Sequence, residues 1–124
     1  MKLREIQELL DAVVLTGHHH LDDEVLCGFG SDLMSDVLCY ANDDAILLTG
    51  LTNRQVLNTA EMANMRCVIF VRNKKPSEEL VRMAVEMDML VMSTRLILFE
   101  CCGILYQHGL AGACLLYTSP STRD

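Results

Sequence analysis

What this chain has little of narrows its function before any motif is found. It has no excess of positive charge: 10 Lys and Arg stand against 17 Asp and Glu, for a formal net charge of −7. A nucleic-acid surface needs a basic face, and anionic lipid asks the same, so both partners are unexpected. Long apolar runs are also missing. The longest, Ala45 to Leu48, Cys67 to Val71 and Leu96 to Phe99, fall far short of the roughly 20 residues of a membrane span. The start, Met1 to Asp11, is charged and amphipathic rather than a basic stretch followed by an apolar one, so no signal peptide is read there. The six cysteines form no C-x-x-C pair. They lie within apolar segments, as in a protein of the reducing cytosol, and a soluble cytoplasmic protein is expected. Neither G-x-x-x-x-G-K-[ST] nor G-x-G-x-x-G occurs, which removes the two commonest phosphate-loop signatures. No nucleophile, base and orienting acid can be assembled locally, and His108 has no evident partner. An enzyme is therefore not expected, and no cofactor is implied.

What is present is a strong alternation of short apolar runs and amphipathic helices. With 124 residues, about half of them hydrophobic, the chain can bury a core as one domain. Leu3, Ile6, Leu9 and Leu10 repeat at helical spacing through Met1 to Ala12, predicting a first helix. Val13 to Thr16 reads as a strand ended by Gly17, and Val25 to Phe29 as a second, closed by Gly30. Ser31 and Asp32 read as caps of a helix, Leu33 to Ala41, with Leu33, Val37, Leu38 and Ala41 as its buried stripe. Ala45 to Leu48 is a buried strand stopped by Thr49 and Gly50, and Asn53 caps a helix carrying Val56, Leu57, Ala60 and Ala63. Cys67 to Val71 is apolar throughout, as in a strand covered on both faces. The basic turn Arg72 to Lys75 follows, and then a helix opened by Pro76, Ser77, Glu78 and Glu79, with Leu80, Met83, Ala84 and Met87 on its inner face. Met89 to Met92 is the last strand expected. Ser93 and Thr94 read as caps of a final helix through Leu96, Ile97, Phe99, Glu100, Ile104 and Leu105, ended by Gly109. Short strand-to-helix connections force parallel neighbours and right-handed crossovers. The expectation is a three-layer α/β/α single domain over residues 1–113 with a mostly parallel five-stranded sheet.

Parallel packing gathers residues from distant segments on one sheet edge. Thr49, Gly50 and the helix start at Asn53 could hold an anion, since the free N–H groups of Arg54, Gln55 and Val56 meet the positive end of the helix. Arg72, Lys74, Lys75, Ser93 and Thr94 would share that edge. A tight turn and a helix cap explain the same residues without a ligand, and both readings stay open. His18, His19 and His20 beside Asp22 and Asp23 have the residue types of a metal cluster. Three adjacent histidines in a loop cannot all face one ion in a rigid geometry, so a solvated loop is expected and no metal site. Cys101 and Cys102 read as small packing groups rather than a redox pair, and Met83, Met87 and Met89 as core filling.

Four stretches carry a family resemblance: SDLMSDVL (Ser31 to Leu38), LLTGLTNRQVLNTAEMA (Leu47 to Ala63), IFVRNKKPSEELVRMA (Ile69 to Ala84) and FECCGILYQHGL (Phe99 to Leu110). Together the chain resembles the stand-alone DRTGG-domain proteins of anaerobic bacteria. The eponymous threonine and first glycine match Thr49 and Gly50, and the aspartate corresponds to Asp32; Leu51 replaces the second glycine, and Leu33 stands where arginine would. The resemblance implies a small α/β domain of the kind found within phosphotransacetylases and between CBS domains in regulated pyrophosphatases, similar in fold to the N-terminal domain of HPr kinase. It implies a regulatory or protein-interaction module without catalysis, contributing to dimer contacts, so a homodimer is expected. By family neighbourhood it also implies association with a small serine kinase or iron-only hydrogenase subunits. The alternative function is a sensor of a phosphorylated metabolite or nucleotide at the strand ends. Residues 114–124, CLLYTSPSTRD, resemble the translated read-through of a sequencing adapter and are set apart as a non-native tail. Without them one positive and one negative charge are lost, Arg123 and Asp124, and the balance is unchanged.

Overall fold

The computed structural model describes residues 1–40 and 42–113. Ala41, expected in a buried helix stripe, and the adapter-like residues 114–124 lie outside the described residues. The helices are α1 (Leu3–Leu9), α2 (Met34–Tyr40), α3 (Arg54–Met62), α4 (Glu78–Glu86) and α5 (Leu98–Gln107). The strands are β1 (Val13–Thr16), β2 (Cys27–Gly30), β3 (Ala45–Thr49), β4 (Cys67–Phe70), β5 (Leu90–Ser93) and β6 (Ala111–Gly112). They form one sheet in the order β1-β5-β4-β3-β2-β6. All neighbours are parallel except β1, which runs antiparallel to β5.

The central strands are apolar for a physical reason: each contributes alternate residues to two separate cores. Ile46, Leu48, Cys67, Ile69, Leu90 and Met92 face one core with Leu3, Ile6, Leu10, Cys101 and Leu105 of α1 and α5. Leu47, Val68, Phe70 and Val91 face the other with Val37, Val56, Leu57, Leu80 and Ala84 of α2, α3 and α4. Handedness explains this division. The chain steps in one direction from β2 through β3 and β4 to β5, so right-handed crossovers lay α2, α3 and α4 on one face. From β5 it returns across the whole sheet to β6, beside β2, and the reversed step puts α5 on the other face.

Local signals are realised at most element ends. The Asn53 side chain accepts from the Val56 N–H at 3.2 Å and that of Ser77 from the Leu80 N–H at 3.2 Å, capping α3 and α4. Four expectations are corrected. The sheet has six strands rather than five, because β6 is a two-residue piece too short to carry a pattern. The second strand starts at Cys27, since the Val25 N–H is taken by the Met1 carbonyl. On α2 the buried residues are Met34 and Val37, whereas Leu33 and Leu38 face outward. Ser93 and Thr94 do not cap α5, which begins four residues beyond Thr94 after Ile97. Ser93 ends β5, and the Thr94 hydroxyl donates to the Leu10 carbonyl at 2.7 Å, joining the sheet to α1.

Gly17 turns the chain out of β1 with φ +84°, and a Cβ there would sit 2.5 Å from the Leu90 Cα and 2.6 Å from the Met89 carbonyl oxygen. Gly109, after α5, has φ +103° with open space around it. Gly109→Ala should therefore carry only left-handed backbone strain, about 1–2 kcal/mol. Gly17→Ala should cost more, because its clash is with backbone that cannot rotate away. Urea unfolding of the two variants checks the order, and equal losses would show that the Gly17 turn relaxes.

Candidate functional site

β3 is buried along its whole length and delivers the Thr49 hydroxyl into the interior at its carboxyl end. A buried hydroxyl requires a partner. Thr49 Oγ1 donates to Asp32 Oδ1 at 2.8 Å, the same carboxylate oxygen accepts the Gly50 N–H at 2.8 Å, and Thr49 Oγ1 accepts the Leu51 N–H at 3.2 Å. Asp32 thus binds the loop after β2 to the loop after β3. It is not a cap of α2, as the sequence suggested; Ser31 makes that turn by accepting the Leu33 N–H at 2.9 Å. Asp32, Thr49 and Gly50, three of the residues on which the resemblance rests, form one hydrogen-bonded unit.

Arg72 joins them from the end of β4. Its backbone is left-handed, φ 60°, as is that of Asn73, φ 57°. Their N–H groups donate to the Leu96 carbonyl at 2.8 Å and the Thr94 carbonyl at 2.9 Å. The Arg72 guanidinium then covers Gly50, where an added Cβ would stand 2.5 Å from Nη2. Glycine is needed here to seat the arginine. Among the described residues, no carboxylate lies in ion-pair reach of Arg72.

The remaining candidates separate. Lys75 and Ser93 line a recess of about 390 Å³ together with Asp11, Val13, Leu15, Asn73 and Arg95. Ser93 also donates its hydroxyl to the Lys74 carbonyl at 2.9 Å, so Lys74 contributes backbone to the loop. Thr94, turned to α1, is not in the recess lining, and the Asn53 Oδ1 is engaged in its cap. The recess lies at the carboxyl ends of β4 and β5 and extends onto β1 through Val13 and Leu15. From there the chain leaves toward opposite faces, into α4 and α5, and such a divergence opens a crevice in parallel α/β sheets. Its size falls in the ordinary range for small-molecule sites. Asp11, Val13, Leu15 and Arg95 were not singled out in the sequence. Arg95 directly follows Ser93 and Thr94 and could have been; the others come from β1 and the turn before it, a strand legible at Val13 to Thr16 but whose antiparallel pairing with β5 no local pattern fixes.

Reactive thiols are not part of this edge. The described cysteines are unbridged. Burial pushes Cys67 well up, and burial first, with Cys102 and Glu100 adding, pushes Cys101 up to about 12. Such thiols stay protonated and are poor nucleophiles. His108 donates Nδ1–H to the Ile104 carbonyl at 2.8 Å, a bond within its own helix turn. Among the described residues, no helix is long and apolar enough to cross a membrane.

The fold and this edge define a mixed α/β domain whose strand ends converge on a motif-bearing clasp and a crevice beside it. The architecture is similar to part of a solved structure, the crystal structure of the CBS and DRTGG domains of the regulatory region of Clostridium perfringens pyrophosphatase complexed with the activator diadenosine tetraphosphate. The match has a TM-score of 0.68 at 12% identity and covers 91% of this chain and 48% of that one. The chain therefore spans about half the length of its structural neighbour, and the likeness supports a DRTGG-like fold. No protein-family model and no curated protein sequence matches the chain.

Removing the Asp32 carboxylate would leave the buried Thr49 hydroxyl and the Gly50 N–H without their acceptor. Asp32→Ala should cost about 1–3 kcal/mol, and the Asp32→Ala/Thr49→Val pair less than the sum of its singles. Denaturant unfolding measures both; a loss within about 0.5 kcal/mol for Asp32→Ala, the range of ordinary surface changes, would refute the clasp.

Proposed function

We propose that this chain is a non-catalytic regulatory module that acts by pairing with a second copy of itself. The observation that carries the reading is the outer face of α5. Phe99 is 84% exposed and Tyr106 66% exposed. With Gly103 between them at i, i+4 and i+7 they share one side of the helix. A Cβ at Gly103 would meet nothing within 4 Å, so a second helix can approach closely there. Two such faces related by a two-fold axis are self-complementary, each aromatic ring covering the partner's glycine. Exposed aromatic groups in a contiguous row are a frequent mark of an interaction surface. The regulatory role of the structural neighbour's domains supports the same class of function.

Sedimentation at tens of micromolar should give a dimer, and Phe99→Glu/Tyr106→Glu a folded monomer. A monomeric parent chain would sink the proposal.

A second reading has its own observation, the recess at the carboxyl ends of β4 and β5, where Lys75 and Arg95 stand beside Asn73 and Ser93, with Arg95 3.8 Å from the Asp11 carboxylate. In this reading the module senses a phosphorylated metabolite or nucleotide. The neighbour's complex with an activator nucleotide supports it. A thermal-shift screen of nucleotides, diadenosine tetraphosphate and acyl phosphates should find a compound that raises the melting temperature by mass action; at a hundredfold over Kd the gain is about 2.7 kcal/mol. Lys75→Ala/Arg95→Ala should abolish that rise. If Gly50→Val abolishes it and the lysine and arginine changes do not, the ligand lies over Arg72 instead.

A further inference from the structure

The three histidines lie at the opposite edge of the sheet, before the amino end of β5, and two of them meet an acid 68 or more residues away. His19 Nε2 is 2.6 Å from Asp88 Oδ1, and His20 Nε2 is 3.2 Å from the same oxygen. The three donor atoms lie within 4.8 Å of one another. We propose that His19, His20 and Asp88 bind a divalent transition-metal cation, zinc by the character of its ligands, with one coordination position left to solvent.

Three independent features argue for a built site rather than a chance ion pair. The first is spacing. A tetrahedral ion with bonds near 2.0 Å holds its ligand atoms roughly 3.3 Å apart, and the His20 to Asp88 separation already matches. The His19 contact is shorter, but both of its side chains are about two-thirds exposed and can open by a small rotation. The second is the support behind His20. Its other nitrogen, Nδ1, is 2.7 Å from Asp23 Oδ2, and Asp23 is itself 3.7 Å from the Arg66 guanidinium. A carboxylate behind the far nitrogen of a ligating histidine favours the tautomer that presents Nε2 to a metal; without an ion, His20 Nε2 donates to the Asp88 carbonyl at 2.9 Å, a bond that the metal would replace. The third is backbone fixation on both sides. Gly17, packed on Met89 and Leu90, holds the histidine turn against the start of β5. Asp88 occupies a left-handed position, φ 56°, its N–H donating to the Val85 carbonyl at 3.1 Å.

The ligand set also selects the ion. Two imidazoles and one carboxylate suit zinc and its neighbours in the first transition row, whereas magnesium and calcium prefer all-oxygen shells. A recess of about 230 Å³ that includes His20, Asn64, Arg66 and Asp88 opens beside the cluster, giving solvent a route to the remaining position. The sequence argument against a metal, that three consecutive histidines cannot surround one ion, does not apply: His18 is left out, and Asp88 completes the set.

Calorimetric titration of the full chain with zinc, in excess magnesium, should show one equivalent bound, and zinc should raise the melting temperature. His19→Gln and Asp88→Asn, both at exposed positions, should each weaken binding by tenfold or more. Asp23→Asn, acting through His20, should weaken it about 10- to 100-fold. Cobalt in place of zinc should give visible bands without a thiolate charge-transfer band. No heat from zinc, affinity unchanged in His19→Gln and Asp88→Asn, or a thiolate band in the cobalt spectrum would each overturn the proposal.

Discussion

The handedness of its crossovers is the constraint from which the rest of this molecule follows. Three steps in one direction and one long return oblige α2, α3 and α4 to share one face of the sheet and α5 to take the other. That alone explains why the central strands are apolar without alternation: both faces are covered, so neither can be polar. It also places the recess at the carboxyl ends of β4 and β5, neighbouring strands that send their chains to opposite sides.

Within that frame, one buried hydroxyl organises the strand ends. Thr49 reaches the interior because β3 is central, and its need for an acceptor draws Asp32 across from the β2 loop. The carboxylate then takes the Gly50 N–H as well, and the bare glycine leaves room for the Arg72 guanidinium. A residue pattern that could be read as a ligand loop thus has a prior structural duty. The consequence is a division of labour along the edge. Asp32, Thr49, Gly50 and Arg72 shape the loops, while Lys75 and Arg95 line the recess beside them.

The sequence made the fold legible wherever hydrophobic period and cap chemistry agreed, as at Asn53 and Ser77, whose side chains perform the roles their positions imply. It misled where one residue type serves two purposes. Asp32 precedes a helix, which is the place of a cap, yet its partners are 17 and 18 residues away. Ser93 and Thr94 resemble a cap for the same reason, but the chain needs three further residues to turn under the sheet before α5 begins. β6 and the recess wall from β1 were hidden because both depend on pairings between distant segments. The meeting of His20 with Asp88 was hidden likewise, since no local period connects a loop to the far end of a helix.

The edge strand β1 links the two ends of the sheet. Its start, Val13, pairs with Ser93 and forms part of the recess wall, and its end leads through Gly17 into the histidine turn. The opposite wall is braced by backbone bonds from Arg72 and Asn73 to the chain after β5. β1 has a weaker hold: it pairs along a single neighbour, its register shifts between Val14 and Thr16, and Val13 is 62% exposed. Segments with few buried contacts open at lower free energy than the core. The recess therefore has one rigid wall and one compliant wall, and the compliant one is tied down at its far end by the contacts of His19 and His20 with Asp88.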